Sequence, residues 1–442
     1  MRIAAASLIG LLLLATFHLY RDAYFSLDDF NNLYWAQQLG AGEMAWHLIN
    51  PVSTYYRPAG MAFYWVLLRL FDLNALAFHV VAWAMHAINT ALVYLLLKRI
   101  AGARPGAAVG AAMFASQAAF ADIYWNFGSV FELACACGIF GSLILWSEPG
   151  RNWTRVLWCT AILLFAVKAK EMALTVPVLW ILSDLAIRSR AGWRMFAQAL
   201  PAGVGVLVWG VFKFTAMREP GPAQLYYMDI GWISLGRGFA THFNTLAHLH
   251  WPWQLWATGA ALLSALLLFL KSRRALFFEL FTLVTFMPVI FLVNHRDAYL
   301  WYIPFVGVCG FAALATGVLM RRAESFWGVR GTSVAAWVAF PALCVALYAV
   351  QVLGSRAARA WQRPMTVEYR AFVSGMRAID APGPNERVFF DSHPLYFSPD
   401  MVRNATQVAL RRTDIQVHLV SDFPADARYR LRFEGLRVER VP

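Results

Sequence analysis

Residues 25–58 read FSLDDFNNLYWAQQLGAGEMAWHLINPVSTYYRP and separate two strongly apolar parts of the chain. The stretch follows a single hydrophobic segment, so we predict a polar loop at one face of a membrane. The adjacent carboxylates of Asp28 and Asp29 repel each other, which can raise the pKa of one of them and let it accept a proton. Asp also favours helix N-termini, where it caps free N–H groups. On the pair alone, the capping interpretation is favoured.

The composition indicates a polytopic membrane protein. Of the 442 residues, 60% are hydrophobic and only 14% are charged, too little charge to cover the surface of a soluble protein of this length. The net charge of +13 would suit a nucleic-acid partner, but the basic residues lie in short clusters between apolar segments, as in cytoplasmic loops. The five cysteines lie inside apolar segments, without the spacing of a disulfide framework or a metal site.

The apolar segments predict an all-α domain over residues 1–354 with about eleven transmembrane helices. The first, at 3–20, is interpreted as a retained span because no small-residue cleavage site follows it. An interfacial helix is predicted at 58–73, within the first outer loop, 21–73. Each further span is near the ~20 residues that cross a bilayer; these spans are 75–97, 105–122, 128–147, 155–168, 171–187, 195–214, 253–270, 275–293, 299–320 and 331–353.

The basic residues predict the orientation of these spans. Most of them fall in alternate loops, which we therefore assign to the cytoplasm; these loops are 98–104, 148–155, 188–194, 271–274 and 321–330. The first loop, the aromatic-rich loop 215–252 and residues 355–442 then lie outside. Short β-like runs at 387–390 and 415–420 predict a small extracytoplasmic α+β domain that leans on the membrane domain. The compact loops and the lack of disulfides favour a bacterial inner membrane.

Several ionisable residues converge on the predicted outer face, namely Asp28, Asp29, Arg57, Asp122, Glu132, Lys168, Lys170, Glu171, His295, Arg296 and Asp297. Charged groups near a bilayer are costly and usually functional. Structural explanations remain open: Glu132 could be a hydrogen-bonded carboxylate inside a helix, the two lysines could extend to the interface, and 295–297 could be a solvated turn. The convergence of so many charges is the stronger argument for function.

Cations opposite carboxylates at a membrane surface suit transfer chemistry on a lipid-linked phosphate. Arg or Lys side chains can hold the phosphate and stabilise it as a leaving group. A carboxylate can act as general base on an acceptor hydroxyl, and interfacial helices offer an apolar groove for the lipid. The pattern therefore indicates glycosyl transfer from a polyprenyl phosphate sugar.

Six short motifs occur in order between about residues 20 and 310: FSLDDF (25–30), YYRP (55–58), RLFDLNALAFH (69–79), HAINTALVY (86–94), AKEMALTVPV (169–178) and YLWYIP (299–304). Together they resemble the class C glycosyltransferases, in particular the protein O-mannosyltransferase-like branch and its bacterial relatives. The chain departs from these relatives at Ser116-Gln117, where they often have His-Pro, and at Ser129, where they often have Arg.

The resemblance implies roles for particular residues. Asp28 or Asp29 would be the catalytic base, which shifts the interpretation of the pair from capping to function. Three cations would hold the donor phosphate, namely Arg57, Lys170 and Arg296. Supporting roles would fall to Tyr56, Asp122, Glu132, Glu171 and His295. No cofactor is certain: some members use a divalent cation, for which Asp28, Asp29 and Asp122 would be the candidate ligands.

The leading hypothesis is an integral membrane glycosyltransferase of the hexosyltransferase type. It would move a sugar from an undecaprenyl-type phosphate to a protein, lipid or glycan acceptor on the extracytoplasmic face. A transporter or flippase of a lipid-linked glycan is the alternative, although it should show internal repeats and broken helices, which the sequence lacks. A scaffold whose C-terminal domain recruits an envelope partner is a third hypothesis. The sequence names neither the sugar, nor the acceptor, nor the oligomeric state.

Overall fold

The structure is a computed structural model that describes residues 2–50, 57–188, 192–216, 227–247, 252–269, 272–295 and 297–441. Four helices make up the N-terminal part: α1 (Arg2–His18), α2 (Leu27–Gln38), α3 (Ala41–Ile49) and α4 (Pro58–Phe71). The first is apolar, and the other three belong to the predicted outer loop. Pro58 occupies the first turn of α4, where its missing N–H costs no hydrogen bond.

The body of the protein is a bundle of helices: α5 (Ala75–Ala101), α6 (Arg104–Ala115), α7 (Ala121–Trp125), α8 (Val130–Ser147), α9 (Trp153–Ala169), α10 (Val176–Arg188), α11 (Trp193–Ala216), α12 (Trp232–Ala247), α13 (Trp253–Phe269), α14 (Arg273–Ile290) and α15 (Phe305–Gly354). The long α15 is broken at Gly328, whose φ of 68° lies in a region that glycine adopts without steric cost. The break separates the predicted spans 299–320 and 331–353.

Each predicted span overlaps a helix, but the helices differ in length from the prediction. Four of the described helices are long and apolar enough to cross a membrane, namely Ala75–Ala101, Phe127–Ser147, Trp193–Lys213 and Phe305–Gly354. Ile3–His18, Pro58–Phe71 and Trp253–Leu267 are apolar but shorter. The total of about eleven spans therefore stays a prediction.

One predicted span was too long. We expected a helix over 105–122, but α6 ends at Ala115, and the chain then makes short helical turns up to α8. Ser116 leaves the helical conformation (φ −128°, ψ 21°), and its backbone N–H donates to the Met113 carbonyl oxygen at 3.4 Å, the shorter-range bond typical of a last helical turn. Asp122 consequently lies in the short helix α7 and not at the end of a span.

Loops that we assigned to the cytoplasm contact one another at one end of the bundle. The Arg99 guanidinium donates to the carbonyl oxygen of Ser147 at 2.8 Å, which joins the first two of these loops. The Arg274 guanidinium donates to the carbonyl oxygen of Ala101 at 3.2 Å, which brings the fourth loop to the first. The alternation of loops is thus consistent with the fold, and the assignment of each end to a membrane face stays a prediction.

The C-terminal region forms a small α/β unit. It contains α16 (Arg356–Ala378), β1 (Arg387–Phe390), α17 (Pro399–Ala409), β2 (Gln416–Leu419), β3 (Tyr429–Glu434) and β4 (Arg437–Arg440). The strand order is β2-β1-β3-β4, with β1 parallel to both neighbours and β3 antiparallel to β4. Helix α17 makes the β1-to-β2 crossover that a parallel pair requires. The two β-like runs of the sequence are β1 and β2.

This unit packs against helix α2. The Phe30 ring is fully buried, with its centroid 5.6 Å from the Phe397 ring and 5.8 Å from the Tyr369 ring. Its neighbour Asn31 accepts a hydrogen bond from the Asn404 side chain. The C-terminal unit therefore covers one side of the helix that carries the Asp pair.

Candidate functional site

One cavity of about 270 Å³ collects residues from the first loop, from the turn before α8 and from the turn before α15. Four of the predicted site residues line it, namely Asp28, Arg57, Glu132 and His295. The other lining residues are Asn31, Asn32, Asn126, Gly128, Ser129, Phe131 and Tyr299. The structure thus brings together charges that are far apart in the sequence.

Helix α2 presents one polar face to this cavity. Asp28, Asn31 and Asn32 are spaced i, i+3 and i+4, and residues at this spacing lie on the same side of a helix. Neither asparagine was predicted as a site residue, although their spacing from Asp28 is visible in FSLDDFNN. Their side-chain amides add neutral hydrogen-bonding groups beside the carboxylate.

The two adjacent aspartates have different environments. Asp29 is fully buried and accepts hydrogen bonds from the Ser26 backbone N–H at 2.6 Å, from the Ser26 hydroxyl at 2.9 Å and from the Tyr64 hydroxyl. Its bond to the Ser26 N–H is the reciprocal half of a capping box at the start of α2. Burial raises the pKa of Asp29 to about 6. Both carboxylate oxygens of Asp29 are thus engaged, Oδ2 with the start of α2 and Oδ1 with Tyr64 of α4.

The Asp28 side chain, in contrast, is exposed within the recess of the cavity. The surrounding protein partly desolvates the carboxylate and raises its pKa above the usual value. The charges of His295 and Arg57 act in the opposite direction, while the negative charge of Asp297 adds to the rise. Asp28 therefore combines access to a ligand with a pKa shifted towards proton acceptance.

Arg57 is held in place by a carboxylate. It lies in the left-handed region (φ 54°) immediately before α4, and its Nε and Nη2 donate to the two oxygens of Glu171 at 3.2 and 2.8 Å. The side chains are only 12% and 21% exposed, and such two-point pairing fixes the plane of the guanidinium. Arg57 still lines the cavity, so Glu171 orients a cation that a ligand can reach.

Lys170 pairs with a residue of the cavity wall and does not line the cavity itself. Its ammonium forms an ion pair with the Glu132 carboxylate, and both side chains are almost completely buried. The ammonium also lies 5.0 Å from the centroid of the Tyr299 ring, a distance typical of a cation–π contact. Glu132 and Tyr299 line the cavity, but Lys170 does not. It lies behind the cavity wall and neutralises a wall carboxylate.

His295 lies at the edge of the cavity in a chain of polar contacts. Its Nδ1 is 3.1 Å from an Asp297 carboxylate oxygen, and its Nε2 is 2.9 Å from the Tyr299 hydroxyl. The hydrogen bond from His295 holds the pKa of Asp297 below its usual value. The imidazole is therefore oriented from both ring nitrogens, as is common for functional histidines.

The remaining predicted residues lie elsewhere. Asp122 is half-buried and does not line the cavity; burial, with a contribution from the charge of Asp297, raises its pKa to about 6. Tyr56 and Arg296 lie outside the described residues. The Lys168 ammonium donates to carbonyl oxygens at the end of α3, at 2.6 Å for Leu48 and 2.9 Å for Asn50. That arrangement stabilises a helix C-terminus.

Lys213 is a cation that the sequence analysis missed. It is buried at the end of an apolar helix and lies within electrostatic reach of Glu171, Arg57 and Lys168. A single charge at the outer end of a predicted span is a recognisable signal for function. Lys213 increases the positive charge on the Arg57 side of the cavity.

The described residues do not fit the metal site that we considered. No group of three or more His, Cys, Asp or Glu side chains in the described part of the chain is arranged to hold a metal ion. Of the three candidate ligands, Asp29 is engaged with Ser26 and Tyr64, and Asp122 does not line the cavity that Asp28 faces.

The fold is similar to that of ArnT from Cupriavidus metallidurans in two crystal structures. The structure bound to undecaprenyl phosphate aligns with a TM-score of 0.51 and 12% identity, over 93% of this chain and 85% of that chain. The apo structure aligns with a TM-score of 0.52 and 13% identity, over 95% and 85%. No family model matches the sequence, and no curated protein sequence matches significantly.

At this identity the likeness shows the fold alone. ArnT has the class C glycosyltransferase fold, so the fold class that the sequence motifs implied is confirmed. With the apolar helices, it also indicates an integral membrane protein. The O-mannosyltransferase-like branch, the hexosyl specificity and the periplasmic orientation stay predictions.

Proposed function

We propose that the protein is a membrane glycosyltransferase that moves a sugar from a polyprenyl phosphate to an acceptor hydroxyl. The observation that carries the proposal is the cavity in which an accessible carboxylate, Asp28, and an oriented cation, Arg57, face the same space. The fold of a protein whose crystal structure holds undecaprenyl phosphate supports the choice of donor. The predicted topology would place this cavity on the extracytoplasmic face, in a bacterial inner membrane.

In the proposed reaction, Asp28 is the general base. Its carboxylate takes the proton of the acceptor hydroxyl while that oxygen bonds to the anomeric carbon of the donor sugar. The bond between this carbon and the phosphate oxygen breaks, and the polyprenyl phosphate leaves with the electron pair. General-base catalysis by a positioned carboxylate contributes about 10²–10⁴-fold to such a rate.

Arg57 would stabilise the phosphate as negative charge develops on the departing oxygen. A guanidinium fixed in advance costs no reorganisation during the reaction, and the pairing with Glu171 supplies that fixation. Arg296, which the motifs nominate, is proposed as a further cation for the phosphate, whereas Lys213 does not line the cavity and would contribute only positive potential near Arg57. Lys170 is reassigned to a positioning role, because its ammonium is paired with Glu132 behind the wall.

Neutral polar side chains would recognise the sugar. Asn31, Asn32, Asn126 and Ser129 contribute amide and hydroxyl groups to the same cavity, and such groups suit the hydroxyls of a sugar ring. The side-chain oxygen Oδ1 of Asn126 accepts a hydrogen bond from the Gly128 N–H at 2.9 Å and lies 2.8 Å from the Ser26 hydroxyl, whose single proton it shares with Asp29. A hexose, as in the O-mannosyltransferase-like branch, is the donor sugar that we propose.

The test uses purified protein in lipid nanodiscs with a panel of polyprenyl phosphate sugars. Wild type is compared with Asp28→Asn and Arg57→Ala, and Asp22→Asn is the matched control because Asp22 is an exposed carboxylate of the same loop. We expect one donor to be consumed by wild type and by the control. Asp28→Asn should bind that donor without turnover, and Arg57→Ala should bind it more weakly.

Two results would contradict the proposal. Donors could bind without being consumed in the presence of any acceptor, in which case transport of a lipid-linked glycan becomes the better account. Alternatively, Asp28→Asn could turn over as fast as Asp22→Asn, which would remove Asp28 from the reaction.

A further inference from the structure

A second large cavity, of about 730 Å³, lies at the other end of helix α5. The α5 N-terminus is close to the candidate site. The ring centroid of Phe78 lies 5.0 Å from that of Phe127, which stands between the cavity residues Asn126 and Gly128. The α5 C-terminus, Ala101, lines the second cavity, together with the ends of α10, α13 and α14 and the part of α15 before its break at Gly328. The two cavities are therefore separated by most of a helix that is about 40 Å long.

The described lining of this cavity carries positive charge only. Arg273, Arg274 and Arg321 contribute guanidinium groups, and the lining includes no Asp or Glu. Positive charge without a carboxylate in the same wall favours an anion as ligand. The positive-inside pattern accounts for basic residues at this end of the bundle. It does not require that three arginines line the same cavity.

The turn that follows α5 holds the Arg274 guanidinium and packs closely against α15, the helix that carries Arg321. The Arg274 guanidinium donates to the Ala101 carbonyl oxygen, and a Cβ added at Gly102 would lie 2.9 Å from its Nη1. Gly102 has a φ of 77°, so glycine satisfies both the backbone and the close approach. On the other side of the turn, a Cβ added at Gly317 would lie 3.0 Å from the Ala103 Cβ and 3.7 Å from Arg321 Nη1.

The remaining wall is apolar and runs along the helices. Leu263 and Leu267 come from α13, and Phe311, Leu314 and Val318 come from α15. Aliphatic and aromatic side chains below a rim of arginines match the two parts of a phospholipid, the phosphate head and the acyl chain. A soluble anion would make no use of the apolar wall.

We propose that this cavity binds an anionic phospholipid, with its phosphate on Arg274 and Arg321 and an acyl chain between α13 and α15. Arginine pairs with phosphate through parallel N–H donors, and basic pockets between transmembrane helices are suited to anionic head groups. The site is distinct from the donor site of the proposed function and does not depend on it.

Native mass spectrometry of the intact protein in detergent tests this proposal. Phosphatidylglycerol and phosphatidylcholine are titrated against wild type, Arg274→Gln, Arg321→Gln and the double variant. Arg155→Gln is the matched control: Arg155 lies in a loop that we assign to the same face, donates to the Pro149 carbonyl oxygen at 2.9 Å and does not line the cavity. Thermal stability is measured alongside, because Arg274 also holds the end of α5.

We expect wild type and the Arg155→Gln control to retain one tightly bound phosphatidylglycerol that phosphatidylcholine does not replace. Its affinity should fall about tenfold or more in Arg321→Gln and further in the double variant. An equal loss in Arg155→Gln, or none in the cavity variants, would mean that diffuse surface charge attracts the lipid and would overturn the proposal. So would equally tight binding of glycerol 1-phosphate, since a soluble phosphate would then suffice.

Discussion

Replacing each aspartate of the adjacent pair should separate catalysis from stability. Asp29→Ala removes the acceptor for the Ser26 N–H and the Tyr64 hydroxyl, both of which are buried. A buried donor left without a partner costs about 1–3 kcal/mol, so two such donors predict a loss of about 2–6 kcal/mol. Asp28→Ala alters an exposed side chain and should change the stability by about 0.5 kcal/mol or less.

The loss of activity, unlike the loss of stability, should be caused mainly by replacing Asp28. Asp28→Asn should lower kcat by about 10²–10⁴-fold, the usual contribution of a general base, while donor affinity stays close to that of wild type. Thermal unfolding in detergent gives the stability order, and single-turnover assays in nanodiscs give the chemical step separately from donor binding. Two results would contradict these roles: an equal loss of melting temperature in Asp28→Ala and Asp29→Ala, or wild-type turnover in Asp28→Asn.

Three further predictions concern the same site. A double-mutant cycle on Arg57→Ala and Glu171→Gln should give a coupling energy of about 1–3 kcal/mol in unfolding experiments, and additive effects would contradict the pairing. Only ionised Asp28 accepts a proton, and its pKa is raised above 3.8. We therefore expect kcat/KM to rise with pH in the acidic range above pH 3.8 and then to level. If the residual activity of Asp28→Asn shows the same rise, the titrating group is not Asp28. Asn404→Ala should accelerate amide hydrogen exchange in α2 by removing the bond to Asn31, and unchanged protection of this helix would show that the contact does not hold it.

The fold class was predictable because it depends on local patterns. Apolar segments near bilayer length and the order of short motifs indicated a helical class C glycosyltransferase, and the structural similarity to ArnT confirms that class. Helix ends were less predictable. Ser116, for example, leaves the helical conformation and is followed by short turns, which hydropathy over 105–122 could not reveal.

The site residues were identifiable by type and predicted face, but their partners were not. Two lysines in the sequence AlaValLysAlaLys looked equivalent, yet Lys168 contacts carbonyl oxygens at the end of α3, while Lys170 pairs with Glu132. Likewise, sequence proximity could not show that one aspartate faces a cavity and the other is buried. These distinctions depend on contacts between residues far apart in the sequence, such as the 120 positions between Lys168 and Leu48, for which a single sequence holds no direct signal.

The hydrogen bond between Asn31 and Asn404 joins residues that are 373 positions apart. Asn31 leaves the ribosome early, whereas Asn404 emerges only after the described helices of the bundle have been synthesised. Contacts over such a separation form late, because the chain between them must first be ordered. A nascent chain would therefore carry helix α2, which forms one side of the cavity, without its support from residues 355–442 throughout membrane insertion, and Asn31 would gain its partner only after the C-terminal unit docks.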